Sequence, residues 1–171
     1  PPPPPSPSRG LPVSRSRTRR NVLLLPAKPR YPPPNVDDMT SRISETTIDC
    51  GDAFALSNWW KQVLSYTDDP ADPEGGNQAG QEECVIVDPN STHRLLFQQV
   101  PDAKVAKNRL HFDLRPTDRP RDAEVERVIS LGATQLADLR NADGTGWVTL
   151  ADPEGNEFCI VRSDEERSGT A

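Results

Sequence analysis

One pattern is written twice along this chain. An alternating strand, an amphipathic helix and further strands joined through an Asp-Pro turn run through residues 43–49, 54–64, 85–89 and 95–97. The same order returns at residues 110–115, 123–131, 148–153 and 158–160. A unit of this kind covers one face of a small sheet with its helix and leaves the other face open. Two such units side by side predict an α+β fold of two tandem βαβββ modules with a concave cleft between them. The cleft is where a function would reside.

Length and charge narrow the possibilities. The 171 residues suffice for one domain with a real core. Residues 1–38 hold 12 of the 19 prolines and seven Lys/Arg against two Asp. Residues 39–171 hold 13 Lys/Arg against 24 Asp/Glu, which leaves a formal charge of −11. So acidic a domain repels phosphate backbones, and nucleic acid is not an expected partner. Cys50, Cys84 and Cys159 form neither a CxxC pair nor an even framework, which points to a reducing cytoplasm. The apolar run Val22-Leu23-Leu24-Leu25 stops at Pro26, far short of the roughly 18–20 residues of a membrane helix, so no membrane partner is expected.

The first 38 residues read as a disordered Pro/Arg-rich leader, because they cannot bury enough apolar surface to order themselves. Thr18-Arg19-Arg20-Asn21-Val22-Leu23 superficially resembles a twin-arginine export signal, but the apolar stretch is short and no small-residue cleavage site follows. The only methionine is Met39, directly ahead of the ordered pattern, and a natural start there would make the leader non-native. The folded domain is expected over residues 42–163, with 164–171 as a flexible, solvated tail.

Within the first copy, Thr46, Ile48 and Cys50 alternate with Glu45, Thr47 and Asp49, the period of a half-covered strand. Asp52 suits a helix N-cap, and Leu56, Trp59, Trp60, Val63 and Leu64 then form one apolar stripe. That spacing makes the tryptophans core residues rather than a stacking platform for a ligand. Residues 67–81, rich in Asp, Pro, Gly and Gln, read as a mobile loop.

The second copy alternates Leu110, Phe112 and Leu114 with Arg109, His111, Asp113 and Arg115. Its helix turns Val125, Val128, Ile129 and Leu131 inward and ends at Gly132, a left-handed cap. Strands are predicted over 134–139, 147–150 and 157–161, with turns at Asp143-Gly144 and Asp152-Pro153-Glu154-Gly155. By parity the cleft collects Glu45, Thr47, Asp49, Gln98, Arg109, His111, Asp113, Glu157 and Cys159. Polar groups in mid-strand cost free energy unless they are paired or bind something.

These residues resemble the vicinal oxygen chelate superfamily, which includes glyoxalase I, bleomycin- and fosfomycin-resistance proteins and extradiol dioxygenases. The resemblance is carried by Thr47-Ile48-Asp49-Cys50-Gly51-Asp52 leading to Trp59-Trp60, and by Phe97-Gln98-Gln99-Val100-Pro101 with Lys104. It continues through Lys107-Asn108-Arg109-Leu110-His111-Phe112-Asp113-Leu114, Leu131-Gly132-Ala133-Thr134 and Asp152-Pro153-Glu154-Gly155-Asn156-Glu157-Phe158-Cys159. It spans residues 42–162 and is most similar to the actinobacterial glyoxalase-like subgroup.

Metal-binding members place four ligands on the first and last strands of each module. The resemblance puts these on Glu45, on Gln98 or Leu96, on His111, and on Cys159, where the metal enzymes carry glutamate. A set of Glu, Gln or Leu, His and Cys departs from the family quartet. It suits Zn²⁺ better than harder ions and suggests that the usual metal is absent.

Without a metal, His111 is the candidate acid/base, with Glu45 opposite to orient it. The alternative is that His111 and Glu45 only satisfy each other. Arg109 would clamp an anion or else pair with Asp113 or Glu157. Cys159 would be a nucleophile if His111 stabilised its thiolate, and otherwise a small core residue. Asp49, Gln98 and Asp113 complete the expected ligand-binding set. Two function classes therefore stand open: a metal-independent protein binding a small molecule in the cleft, and a glyoxalase-like lyase or isomerase using His111 and Glu45 with or without a divalent metal. The resemblance also implies a homodimer.

Overall fold

The computed structural model describes residues 42–169. The Pro/Arg-rich leader and the proposed start at Met39 lie outside the described residues. The first module comprises β1 (Thr46–Cys50), α1 (Ala53–Leu64), β2 (Thr67–Asp68), β3 (Glu83–Val87) and β4 (Arg94–Gln99). The second comprises β5 (Asp113–Leu114), α2 (Arg121–Ser130), β6 (Thr134–Arg140), β7 (Gly146–Ala151) and β8 (Glu157–Val161), followed by α3 (Asp164–Ser168). Each module forms its own four-stranded sheet, ordered β1-β4-β3-β2 and β5-β8-β7-β6. In both, the first strand runs parallel to the last and the other pairs are antiparallel. The repeat in the sequence is thus a repeat in space, and the α+β architecture of two βαβββ modules is as expected.

The helix α1 starts where the sequence places its cap. The Asp52 carboxylate accepts the Ala55 amide at 2.8 Å, satisfying one of the orphan donors of the first turn. Ala53, Leu56, Ser57, Trp59, Trp60 and Val63 form its buried side. These side chains meet Ile86, Leu95 and Phe97 of one sheet and Phe158 and Ile160 of the other in one continuous core. Trp60 lies at its centre. Its ring makes edge contacts with Trp59, Phe112 and Phe158 at centroid distances of 5.1, 5.6 and 5.2 Å. Both tryptophans are therefore core residues that join the modules, as their helical spacing predicts.

Several expectations are corrected. Ile129 is 39% exposed, because α2 turns Val125 and Val128 inward and leaves Ile129 at the edge of the stripe. Leu110 is 88% exposed. Strand alternation fails there because β5 contains only Asp113 and Leu114; ahead of it Phe112 O still accepts the Cys159 amide at 2.8 Å, and Asn108 is held by a side chain. Glu157 accepts the Asn108 amide at 2.9 Å and pairs with Lys104 at 3.1 Å.

The stretch read as a mobile loop contains β2, and the Asn77 side chain extends that edge. Its amide donates to Val85 O at 2.8 Å and its oxygen accepts Val85 N at 3.0 Å, copying the backbone pairing of a strand. The expected tail at Asp164–Glu166 is the start of α3, opened by a capping box on Ser163. Glu166 also accepts the Arg121 amide at 2.8 Å and so caps α2, whose own N-cap residue, Pro120, makes no side-chain bond. Among the described residues, no helix is long and apolar enough to cross a membrane.

Candidate functional site

A cavity of about 500 Å³ opens between the two modules. One wall is made by Thr46, Thr47, Ile48 and Asp49. Four consecutive strand residues can face one cavity only if the strand presents its edge, and β1 is indeed the outer strand of its sheet. Asn108, Leu110, His111 and Phe112 form the opposite wall, while Asp152 and Asn156 come from the β7–β8 turn and Glu157 from the start of β8. Trp60 closes the floor. The lining therefore mixes apolar side chains with a few convergent polar ones, as ligand cavities do.

The polar groups differ in how far they are engaged. Asp152 is 3% exposed. One of its oxygens accepts the Glu154 and Asn156 amides, and the other accepts Trp60 Nε1 at 3.2 Å and Asn156 Nδ2 at 3.1 Å. Burial raises its carboxyl above the usual range, against the opposing effect of these four donors. Asp152 is thus committed to the framework.

Glu154, from the same turn, accepts the Gly51 and Asp52 amides at 2.6 and 2.9 Å, tying the start of α1 to the second module. Glu157 is held below its usual range by the Asn108 amide and Lys104, which outweigh its desolvation. The Asp49 side chain makes no hydrogen bond or ion pair among the described residues. Its carboxylate remains available to a ligand.

His111 faces Asp113, with Nε2 and Oδ1 3.4 Å apart. Asp113 is in register with Cys159 across the β5–β8 pair. One ligand atom from each of His111, Asp113 and Cys159 lies within 4.8 Å of the others. Thr149 Oγ1 lies 3.5 Å from the Cys159 sulfur. Burial, the largest cause, and the Asp113 charge push the Cys159 thiol above its usual range. Cys50 is pushed up to about 12 by burial and then by Glu154 and Asp52. Cys159 therefore has the environment of a protonated thiol, not of an activated nucleophile.

The sequence-selected residues are distributed unevenly around this site. His111 and Asp49 line the cavity. Glu45 lines a separate depression with Arg42, Ser44, Thr92 and Arg94, and its nearest cation, Arg94, is 3.9 Å away. The carboxylate beside His111 is thus Asp113, and the Glu45–His111 pairing is corrected. The shift arises because β1 begins only at Thr46, leaving Glu45 on the approach to the strand. Gln98 is in register with Asp49 but lies outside the cavity lining, as does Arg109.

Neither of the alternatives for Arg109, Asp113 or Glu157, is realised: the Arg109 side chain makes no hydrogen bond or ion pair among the described residues. Asn108, Asp152 and Asn156 were not selected from the sequence. The Asp-Pro-Glu-Gly-Asn turn marked their neighbourhood, but not that it would reach the other module. His93 is exposed, with Nδ1 2.7 Å from Tyr66 Oη.

A metal of the kind found in the vicinal oxygen chelate fold can be tested against these donors. Tetrahedral zinc holds its ligand atoms roughly 3.3–3.8 Å apart, given bond lengths of about 2.0–2.3 Å. His111, Asp113 and Cys159 would need to close by about 1 Å from their widest separation of 4.8 Å. Two of the three are exposed side chains free to do so. Imidazole, carboxylate and thiolate fit zinc and leave a fourth position open, whereas the thiol is a poor donor to Mg²⁺ or Mn²⁺. Glu45 and Gln98 do not belong to this group.

The profile of a family described as a glyoxalase-like domain matches residues 45–161. No curated protein matches the chain. Among solved structures, a variant of the fosfomycin resistance protein FosX from Listeria monocytogenes, complexed with Mn(II) and a dihydroxypropylphosphonic acid, is 15% identical with a TM-score of 0.56. The match covers 75% of this chain and 96% of that one. FosX from Mesorhizobium loti is 14% identical, with a TM-score of 0.53, and 78% and 100% of the two chains are covered. The oxidase ChaP-H2 is 20% identical at a TM-score of 0.51, with 72% and 94% covered. At these identities the likeness is one of fold.

Proposed function

We propose that this chain, which belongs to the glyoxalase-like domain family, binds a small molecule in the cavity between its modules. The observation that carries this reading is the cavity of about 500 Å³, to which both modules contribute. Its polar groups include the Asp49 side chain, without a partner among the described residues, and His111, which faces Asp113. Unpartnered polar groups above an apolar floor supply orientation and contact area together. His111 and Asp49 contact the ligand, and Asp113 positions His111.

The test is native mass spectrometry of the full chain purified without chelator, beside Thr47→Trp, which fills the cavity from the exposed face of β1. A co-purifying adduct present in the parent and missing from the variant supports the reading. An adduct carried equally by both would sink it. The same spectra report assembly. Leu139 and Trp147 are register partners and remain 47% and 43% exposed; a homodimer covering them is expected, and a monomeric mass for the parent protein would reject it.

A second reading, a glyoxalase-like lyase or isomerase, is favoured by the His111, Asp113 and Cys159 group. These residues would hold zinc, which supplies Lewis-acid polarisation of a ligand oxygen. His111 and Asp113 would then be ligands, leaving proton transfer to another group in the cavity. Cobalt substitution tests the donor set: a thiolate-to-cobalt charge-transfer band is expected for the parent and absent in Cys159→Ser. No band in the parent protein removes this reading.

A further inference from the structure

The charge of the cavity lining restricts what the cavity can hold. Its side chains include three carboxylates and neither lysine nor arginine. Two carboxylates are already engaged: Asp152 by four hydrogen-bond donors, and Glu157 by Lys104 and the Asn108 amide. Asp49 has no such partner. The nearby cation Lys104 is engaged with Glu157 and Ala106 O. Residues 39–171 carry 13 basic against 24 acidic side chains, so the field of the whole domain has the same sign as Asp49.

An anion entering this space would approach an unpaired carboxylate with no guanidinium or ammonium in the lining to receive it. An ammonium or amidinium would gain a charge-assisted hydrogen bond there, while its apolar body rests on Ile48, Leu110 and Phe112. We propose that the cavity is selective for cationic ligands: an amine or amidine on an aromatic-sized body, its charge paired with Asp49. This rests on the cleft reading above and assigns the chemical class of its ligand. It sets this chain apart from a phosphonate binder built on the same fold.

The test uses three probes of nearly equal shape: benzamidine, benzamide and benzoate, which are cationic, neutral and anionic at pH 7. Binding to the full chain is followed by amide chemical-shift perturbation, with chelator present so that no metal recruits the carboxylate. Benzamidine is expected to bind at least about tenfold more tightly than benzoate, the size of effect one charge-assisted contact gives. Its shifts should map to Thr47, Asp49, His111 and Phe112. Asp49→Asn should reduce benzamidine to the affinity of benzamide and leave the melting temperature unchanged, since the Asp49 side chain holds no other group among the described residues.

Benzoate binding as well as benzamidine would overturn the charge selectivity and leave the cleft reading intact. So would an Asp49→Asn protein that holds benzamidine unchanged. If none of the three perturbs the cavity residues at their solubility limits, the cleft reading falls and the selectivity with it.

Discussion

Trp60→Ala is expected to lower the free energy of unfolding by about 4 kcal/mol, within the range for truncating a buried tryptophan. Trp60 is 1% exposed and its ring touches Trp59 and two phenylalanines of the second module. Removal leaves a void where the two sheets share a core, and the surrounding strands cannot collapse independently into it. It also strips one donor from Asp152, which costs roughly another 1 kcal/mol for a buried acceptor.

Trp60→Phe helps separate these effects, because it loses the indole N–H and one ring of packing while keeping an aromatic ring in the core. Asp152→Asn probes the same bond from the other side. All four contacts to Asp152 are donors, so an amide nitrogen placed there would face another donor. Urea denaturation measures all three. A Trp60→Ala midpoint close to that of the parent protein would contradict the central place given to this residue.

Gly146→Ala is expected to cost roughly 3–5 kcal/mol, from the left-handed backbone and steric overlap together. Gly146 has φ +88°, and an added Cβ would run into the Leu139 carbonyl oxygen, with Arg140 Cα only 3.1 Å away. That carbonyl belongs to the β6–β7 ladder, so neither partner can yield without breaking register. The 5%-exposed Arg121 further fixes the turn through the Gly144 and Gly146 carbonyls, each at 3.1 Å.

Gly144→Ala is the control. Its φ is +80°, but no atom lies within 4 Å of the added Cβ, so only the backbone preference of about 1 kcal/mol is lost. Thermal unfolding of the two variants should differ by several degrees. Equal melting temperatures would show that the turn can rearrange and that the contact does not constrain the fold.

The legible parts of this fold are those set by local periodicity. The stripe on α1, the Asp52 cap, the Asp143-Gly144 turn and the doubled order of strands follow from spacing of two or about four residues, which the chain displays directly. The site was less legible. Alternation picked out Asp49 and His111, but the structure brings them to the cavity by other means: β1 presents its edge, and His111 precedes the short β5. Glu45 was misplaced because the strand expected from residue 43 in fact begins only at Thr46. Leu110 was misplaced for the related reason that β5 starts only at Asp113.

By itself, then, the sequence determined the two modules, the helix that covers each sheet and the chemical character of the residues available to the cleft. Only the tertiary structure decided which of them meet. His111 acquired Asp113 and Cys159 because a parallel pairing of β5 with β8 sets residues 46 positions apart side by side. Asp152 became framework because Trp60 reached it across 92 positions. Glu166 became the cap of α2 by folding back over 45. Alternation and helical spacing act over a few residues, whereas these partners are chosen by how the two modules pack, which no local pattern encodes.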